Sequence, residues 1–260
     1  MEVKSHVQMP KGLMKAFSHS TKDGKCVYYL DLKDMEIKEA KINELGTIKG
    51  LYDPKSEEIL DHFYESPFFQ ATLNLKKFSS GQLEALVFTR DDEEAFDKFI
   101  KSLIVRSDLM RESTRSAPFS SMLRPNVFNA LLIATLPATL PRIEFFNGFR
   151  FNCLINNSDL SLVAPRNCII LYIVENTYEC LLPLSPRVAI VYQREERYRA
   201  AFNGNGDPCY YFVDKGEEDI IQSINIAACE NESFFNNEFL IGAGREELEI
   251  LKSDLSGEQQ

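Results

Sequence analysis

Asp159 closes a β-type run inside the polar turn NNSDLS (156–161), where a carboxylate can serve as general acid, general base or metal ligand. The ordinary alternative is an Asx turn, in which the same side chain caps nearby backbone amides. His6, in SHVQMPKGLMKAFS (5–18), is the other candidate for proton transfer, because imidazole changes charge nearest neutral pH. Its alternative role is to hydrogen-bond a carbonyl and fasten the N-terminal arm. A third constellation is basic. Arg106, Arg111, Arg115 and Arg124 follow one helical segment, with only Asp108 and Glu112 to offset them. Arginine grips a carboxylate or phosphate with two parallel N–H donors, so the group points to an anion site or to internal Arg–carboxylate pairs. Arg106 and Arg111 lie about 140° apart around a helix and share a face only if the helix ends between them.

Other chemistries find no pattern. The chain has no H-x-H, no H-E-x-x-H and no Cys/His cluster at zinc spacing, so no metal is expected. There is no G-x-S-x-G elbow for serine hydrolysis. GAGRE (242–246) resembles a dinucleotide-binding turn only superficially. Glu247 stands where the third glycine belongs, and two glutamates would repel a pyrophosphate. It is expected to be a turn that starts a helix. No cofactor is indicated.

These residues must be held by elements whose periods can be read. The firmest is RDDEEAFDKFIKSLIV (90–105), where Phe96, Phe99, Ile100, Leu103 and Ile104 recur on one helical face. Asp91 to Glu94 suit its first turn, and Glu94–Lys98 and Asp97–Lys101 are i, i+4 pairs expected on the solvent side. YDPKSEEILDHFYESP predicts a helix with Asp53 as N-cap and Pro54 at the first position, burying Ile59, Leu60 and Phe63. Pro67 ends it or opens a further helix through Phe68, Phe69, Leu73 and Leu75. KCVYYLDLKD and EIKEAKI read as strands, with Val27, Tyr29 and Asp31 on one face. From residue 143 onward, β-type runs alternate with turns, NGFR (147–150) among them as a hairpin turn and NGNGDP (203–208) as a loop. A helix then carries Ile220, Ile221, Ile224 and Ala228 inward, and a short strand and helix close the chain.

The fold class is therefore α+β: a helical N-terminal half packed on a mainly antiparallel sheet, with C-terminal helices. One domain over 1–255 is expected, with a sub-boundary near 113–125 and a frayed tail at 256–260. A net charge of −10 argues against coating nucleic acid by bulk attraction. Yet residues 1–101 carry fourteen Lys and one Arg, whereas 102–214 carry eleven Arg and no Lys. No apolar run is long enough for a membrane span and no signal peptide is visible. Six cysteines without framework spacing read as buried thiols, so a cytoplasmic location is expected.

Several segments together resemble the bacterial domain of unknown function family 4238. HVQMPKGLMKAFS supplies His6, Pro10, Leu13 and Phe17 of the family's opening motif, and FIKSLIVRSDLMR places Arg106 and Arg111 at its two arginines. SDLS corresponds to its S-D-N-P turn through Ser158 and Asp159, PLSP (183–186) matches outright, and SINIAA offers Asn225 for a lone helical asparagine. The resemblance highlights the segments of His6, Asp159 and Asn225, which could converge, with Asp159 and His6 as candidate catalytic residues and Arg106, Arg111, Asn225 and Ser158 as candidate ligand contacts. Val7 replaces the histidine nearest the proline, Leu160 and Ser161 replace Asn-Pro, and Ser107 replaces Thr, which implies a weakened or absent family activity. The function expected is binding of a phosphate-bearing ligand or nucleic acid at an Arg-lined pocket, extending to nuclease or phosphohydrolase chemistry. The rival is a non-enzymatic protein-interaction module of a toxin-type or phage-defence assembly.

Overall fold

In the computed structural model, the residues described are 4–6, 9–49, 51–82, 86, 88–107, 111, 125–139, 149–174, 177–194, 210–230 and 238–257. The protein is α+β. The chain groups into two compact units, residues 1–10 with 46–147 and residues 11–45 with 148–260; residues 113–124 of the expected sub-boundary lie outside the described residues.

The first unit is built on helices that start where their caps dictate. Asp53 accepts from the backbone amides of Lys55 (2.9 Å) and Ser56 (3.0 Å), with Pro54 opening α2 (Pro54–Leu60). Those bonds hold the Asp53 carboxyl below the usual carboxylate range. The helix does not stop at Pro67. It widens into a π-turn over Asp61–Glu65 and continues as α3 (Ser66–Ser79). Proline lacks an N–H and its ring crowds the carbonyl four residues back, and the wide turn lies where that relief is needed. Leu60 and Tyr64 are buried, while Phe63, expected inside, is 59% exposed. Leu73 is likewise exposed, whereas Phe68 and Leu75 are buried.

α4 (Arg90–Arg106) begins with a capping box in which the Thr89 hydroxyl accepts from the Asp92 amide and the Asp92 carboxylate accepts from the Thr89 amide. Phe96, Phe99, Ile100 and Leu103 are buried as the spacing predicts, and Phe99 stacks on Phe68 with centroids 3.8 Å apart. Lys101 is a correction: it pairs with Asp97 at 2.8 Å but is buried, so this pair is not on the solvent side. α5 (Pro125–Thr139) buries Ile133 and Leu136, and Asn129 donates to the Leu51 carbonyl (3.0 Å). Two short strands complete this unit: β1 (Lys4–His6) pairs antiparallel with β5 (Thr47–Lys49).

The second unit opens with the short helix α1 (Lys11–Met14), which buries Leu13 and Met14, and holds two sheets. One has β3 (Gly24–Asp31) at its centre, flanked by β2 (His19–Thr21), β4 (Glu36–Lys41) and β12 (Phe239–Gly242), with β7 (Ala164–Pro165) beyond β12. The simple alternation expected of β3 does not hold, because Val27 and Leu30, on opposite faces, are both fully buried. His19 is a β2 residue whose ring stacks on Tyr28 with Nε2 2.6 Å from Glu39 Oε1.

The other sheet runs β11 (Tyr210–Val213), β6 (Phe149–Asn156), β10 (Val188–Arg194), β9 (Thr177–Ser185), β8 (Ile170–Val174), with β11 parallel to β6 and the other pairs antiparallel. Phe149 and Arg150 of NGFR begin β6, whereas residues 147–148 of the expected hairpin turn lie outside the described residues, as does the loop expected at 203–208. Leu154, Leu181 and Val191 of this sheet share one apolar cluster with Leu30 and Leu240, with Ile221 and Ala228 of α6 (Glu218–Glu230), and with Leu248 and Leu251 of α7 (Arg245–Ser256). Ile220 is the exception to the inward face expected of α6, being 41% exposed. Gly242 and Gly244 serve packing. A Cβ on Gly242 would lie 2.7 Å from Leu248 Cγ, and Gly244 is the N-cap of α7, where Glu247 folds back over it. GAGRE is thus a helix-start turn.

Candidate functional site

Arg106 ends α4 on the same face as Phe99 and Leu103, and its side chain is only 2% exposed. Its Nε donates to the Ser102 carbonyl (3.2 Å) and its Nη1 lies 3.6 Å from Glu65 Oε1, while Nη2 is buried without a partner. A guanidinium satisfied by a carboxylate makes contacts near 2.7–2.9 Å, so this pair is a loose one. Glu65 ends the π-turn and keeps 24% of its side chain exposed. Burial pushes its carboxyl up; Arg106 opposes that shift, and Glu57 and Asp61 add to it. Burial also raises the Tyr64 phenol, and Arg106 partly offsets it. One oxygen of Glu57 is itself buried without a partner. The chemistry on offer is a buried guanidinium donor, Nη2, left without a partner beside the Nη1 that faces the Glu65 carboxylate.

The other expected residues are distributed between the two units. Arg111, half-buried, lies just beyond α4, and its backbone N–H donates to the Ser107 carbonyl (2.9 Å). Arg115 and Arg124 lie outside the described residues. His6 pairs through its backbone with Thr47, as an anchoring strand would. His6, Arg106 and Arg111 belong to the first unit; Ser158, Asp159 and Asn225 belong to the second.

Within the second unit, the motifs that carry the family resemblance do meet, but around backbone. The Ser158 hydroxyl donates to Asn156 Oδ1 (2.6 Å), and Asn156 Nδ2 donates to the Leu160 (2.7 Å) and Pro186 (3.2 Å) carbonyls. Arg187 Nη1 donates to the carbonyls of Ser158 and Leu160. Asn225, buried in α6, accepts from the Val163 amide (3.0 Å) and donates to the Ser161 carbonyl (2.9 Å). SDLS, PLSP and the helical asparagine therefore stitch the chain segment 156–163, whose amides and carbonyls would otherwise be buried unpaired. The Ser158 hydroxyl and both amide atoms of Asn225, expected to bind ligand, are engaged in these internal contacts. Asp159 is exposed, with Lys215 Nζ 2.8 Å away, and its amide donates to Glu218 (3.3 Å). That is a solvated ion pair, not the desolvated setting that tunes a catalytic carboxylate.

Sequence reasoning missed a buried polar chain in the same unit. Asn152 on β6 donates to Gln193 Oε1 on β10, and Gln193 Nε2 donates to Glu179 on β9 (3.2 Å). Asn152 and Glu179 are 0% and 1% exposed. A signal existed in the strand period: Glu179 is two residues before inward-facing Leu181, and Asn152 two before Leu154.

Cys26, Cys153, Cys168 and Cys180 are buried free thiols, and burial pushes the half-buried Cys229 up to about 12, away from nucleophilic use. Among the described residues, no group of three His, Cys, Asp or Glu side chains is placed to hold a metal, and no helix is long and apolar enough to cross a membrane. A hollow of about 290 Å³ between α7 and Ile37 is lined by Arg245, Glu249, Lys252, Ser253 and Ser256. Its arginine already pairs with Glu249 (3.0 Å), and the last turn of α7 presents the negative end of the helix dipole, so an anion is poorly served there.

Comparison of the chain with protein-family models, with curated proteins and with solved structures yields no match in any of the three.

Proposed function

We propose that this protein binds a small phosphate-bearing ligand, with the Arg106 guanidinium as the cationic contact and Glu65 as the internal anion the ligand replaces. The observation that carries the reading is the buried, unpartnered Nη2 of Arg106. Leaving such a donor unmade costs about 1–3 kcal/mol, more for a charged group, which favours an arrangement completed by an acceptor. The approach is from the Glu65 side, since that side chain retains solvent contact and Arg106 does not. Burial of Arg106 and the net charge of −10 favour a small ligand over a nucleic-acid polymer. A reducing, cytoplasmic setting fits the free thiols.

Calorimetric titration with inorganic phosphate and with nucleotides across a salt series tests it. Wild type is expected to bind with salt-dependent affinity, and Arg106→Met to weaken binding at least tenfold. Wild type that binds none of these probes at any salt concentration ends the proposal.

A second reading, a non-enzymatic interaction module, is favoured by α5. This helix is predominantly apolar, with Val127 and Leu131, one turn apart, 48% and 47% exposed. Under it, Leu131→Glu abolishes association measured by light scattering, whether with a second copy or a co-purified protein, and leaves phosphate binding unchanged.

A further inference from the structure

The Arg106 site has a feature that a simple anion pocket lacks: its resident counter-ion belongs to the protein and is held badly. Glu65 Oε1 stands 3.6 Å from Nη1, too far for a good charge-assisted bond. Two further carboxylates of the same continuous helix, Glu57 and Asp61, act on Glu65 and oppose its ionisation. Asp61 is occupied by the Ser66 hydroxyl (2.9 Å), whereas Glu57 has a buried oxygen with no donor. From α4, the charge acting on Glu65 is Arg106, and Tyr64 beside it is buried. Glu65 is the last residue of the π-turn, where the chain winds by less per residue than in an α-helix. The Glu65 side chain keeps partial contact with solvent.

Resting on the anion-binding reading above, we propose that Glu65 is a proton-operated gate on Arg106: uptake of one proton by Glu65 releases the guanidinium, and an oxyanion then takes the carboxylate's place. Ionised Glu65 competes for the same N–H donors and repels the incoming anion; neutral Glu65 does neither. The direction is set by burial, which makes Glu65 hold its proton to higher pH than an ordinary carboxyl. Binding is therefore strongest in acid and weakens as pH rises through the Glu65 titration, by about tenfold per unit above it for one linked proton.

Sulfate is the probe of choice, because its charge stays constant over the range while that of phosphate does not. Calorimetry at pH 5, 6, 7 and 8, in buffers of different ionisation enthalpy, is expected to show wild type taking up about one proton per sulfate bound. Glu65→Gln is expected to bind tightly at every pH with no proton uptake, and Glu57→Gln to shift the wild-type profile to lower pH. Sulfate binding by wild type that neither varies with pH nor takes up a proton overturns the gate and leaves the anion site standing. No sulfate binding by wild type at any pH, with none by Glu65→Gln, removes the site itself.

Discussion

Arg106→Ala is expected to destabilise the protein by about 3–5 kcal/mol, because it deletes one partner of a buried ion pair and leaves the other charged. The side chain is 2% exposed, so its removal also leaves a space beneath α4 beside Leu103. The pH dependence identifies which part dominates. Burial has already raised the Glu65 carboxyl, and Arg106 is what restrains that rise. A group with a raised folded-state value contributes stability below its unfolded value and loses it as pH rises through the folded one. Without Arg106 the folded value climbs further, so the variant is expected to lose more at pH 8 than at pH 5. Urea denaturation at both pH values measures this. An equal loss at the two would assign the effect to packing alone, and a loss under about 1 kcal/mol would mean that the pair is not buried in solution.

Asn225→Ala is the second large effect. Its two amide atoms serve the Val163 amide and the Ser161 carbonyl, both inside the second unit. Each buried group left unpaired costs about 1–3 kcal/mol, so a loss of about 2–5 kcal/mol is expected. Asn225→Asp can still accept from Val163 but cannot donate to Ser161, and is expected to fall between the two. Thermal denaturation with far-UV circular dichroism as the readout orders the three proteins. If alanine is tolerated with little change, Asn225 is not the staple its contacts describe, and a ligand role returns to consideration.

Some of this is legible in the residues alone. α4 can be read because Phe96, Phe99, Ile100 and Leu103 keep one face without interruption. Arg106 continues that spacing from Phe99 and Leu103, so its burial is present in the pattern although its charge draws the eye first. Asp53–Pro54 marks the start of α2 by local chemistry alone. The π-turn is not legible. It answers a crowding between Pro67 and the preceding turn that can be resolved by stopping the helix or by widening it, and neighbouring packing chooses. Glu65 as the partner of Arg106, and Asn225 as the staple of Ser161 and Val163, join segments far apart in the chain, which no local period records. Ser158, Pro186 of PLSP and Asn225 lie along the same stretch of chain, where their contacts hold backbone.

The pairing of β3 with β12 has a consequence for biogenesis. Tyr28 to Asp31 are translated long before their sheet neighbours Phe239 to Gly242. In that interval, one margin of β3 stays open on the ribosome, where an unpaired hydrophobic strand invites mispairing with other nascent chains. Chaperone occupancy of the polysome-bound chain should accordingly persist until Gly242 clears the exit tunnel, and a stall upstream of Phe239 should release an aggregation-prone fragment.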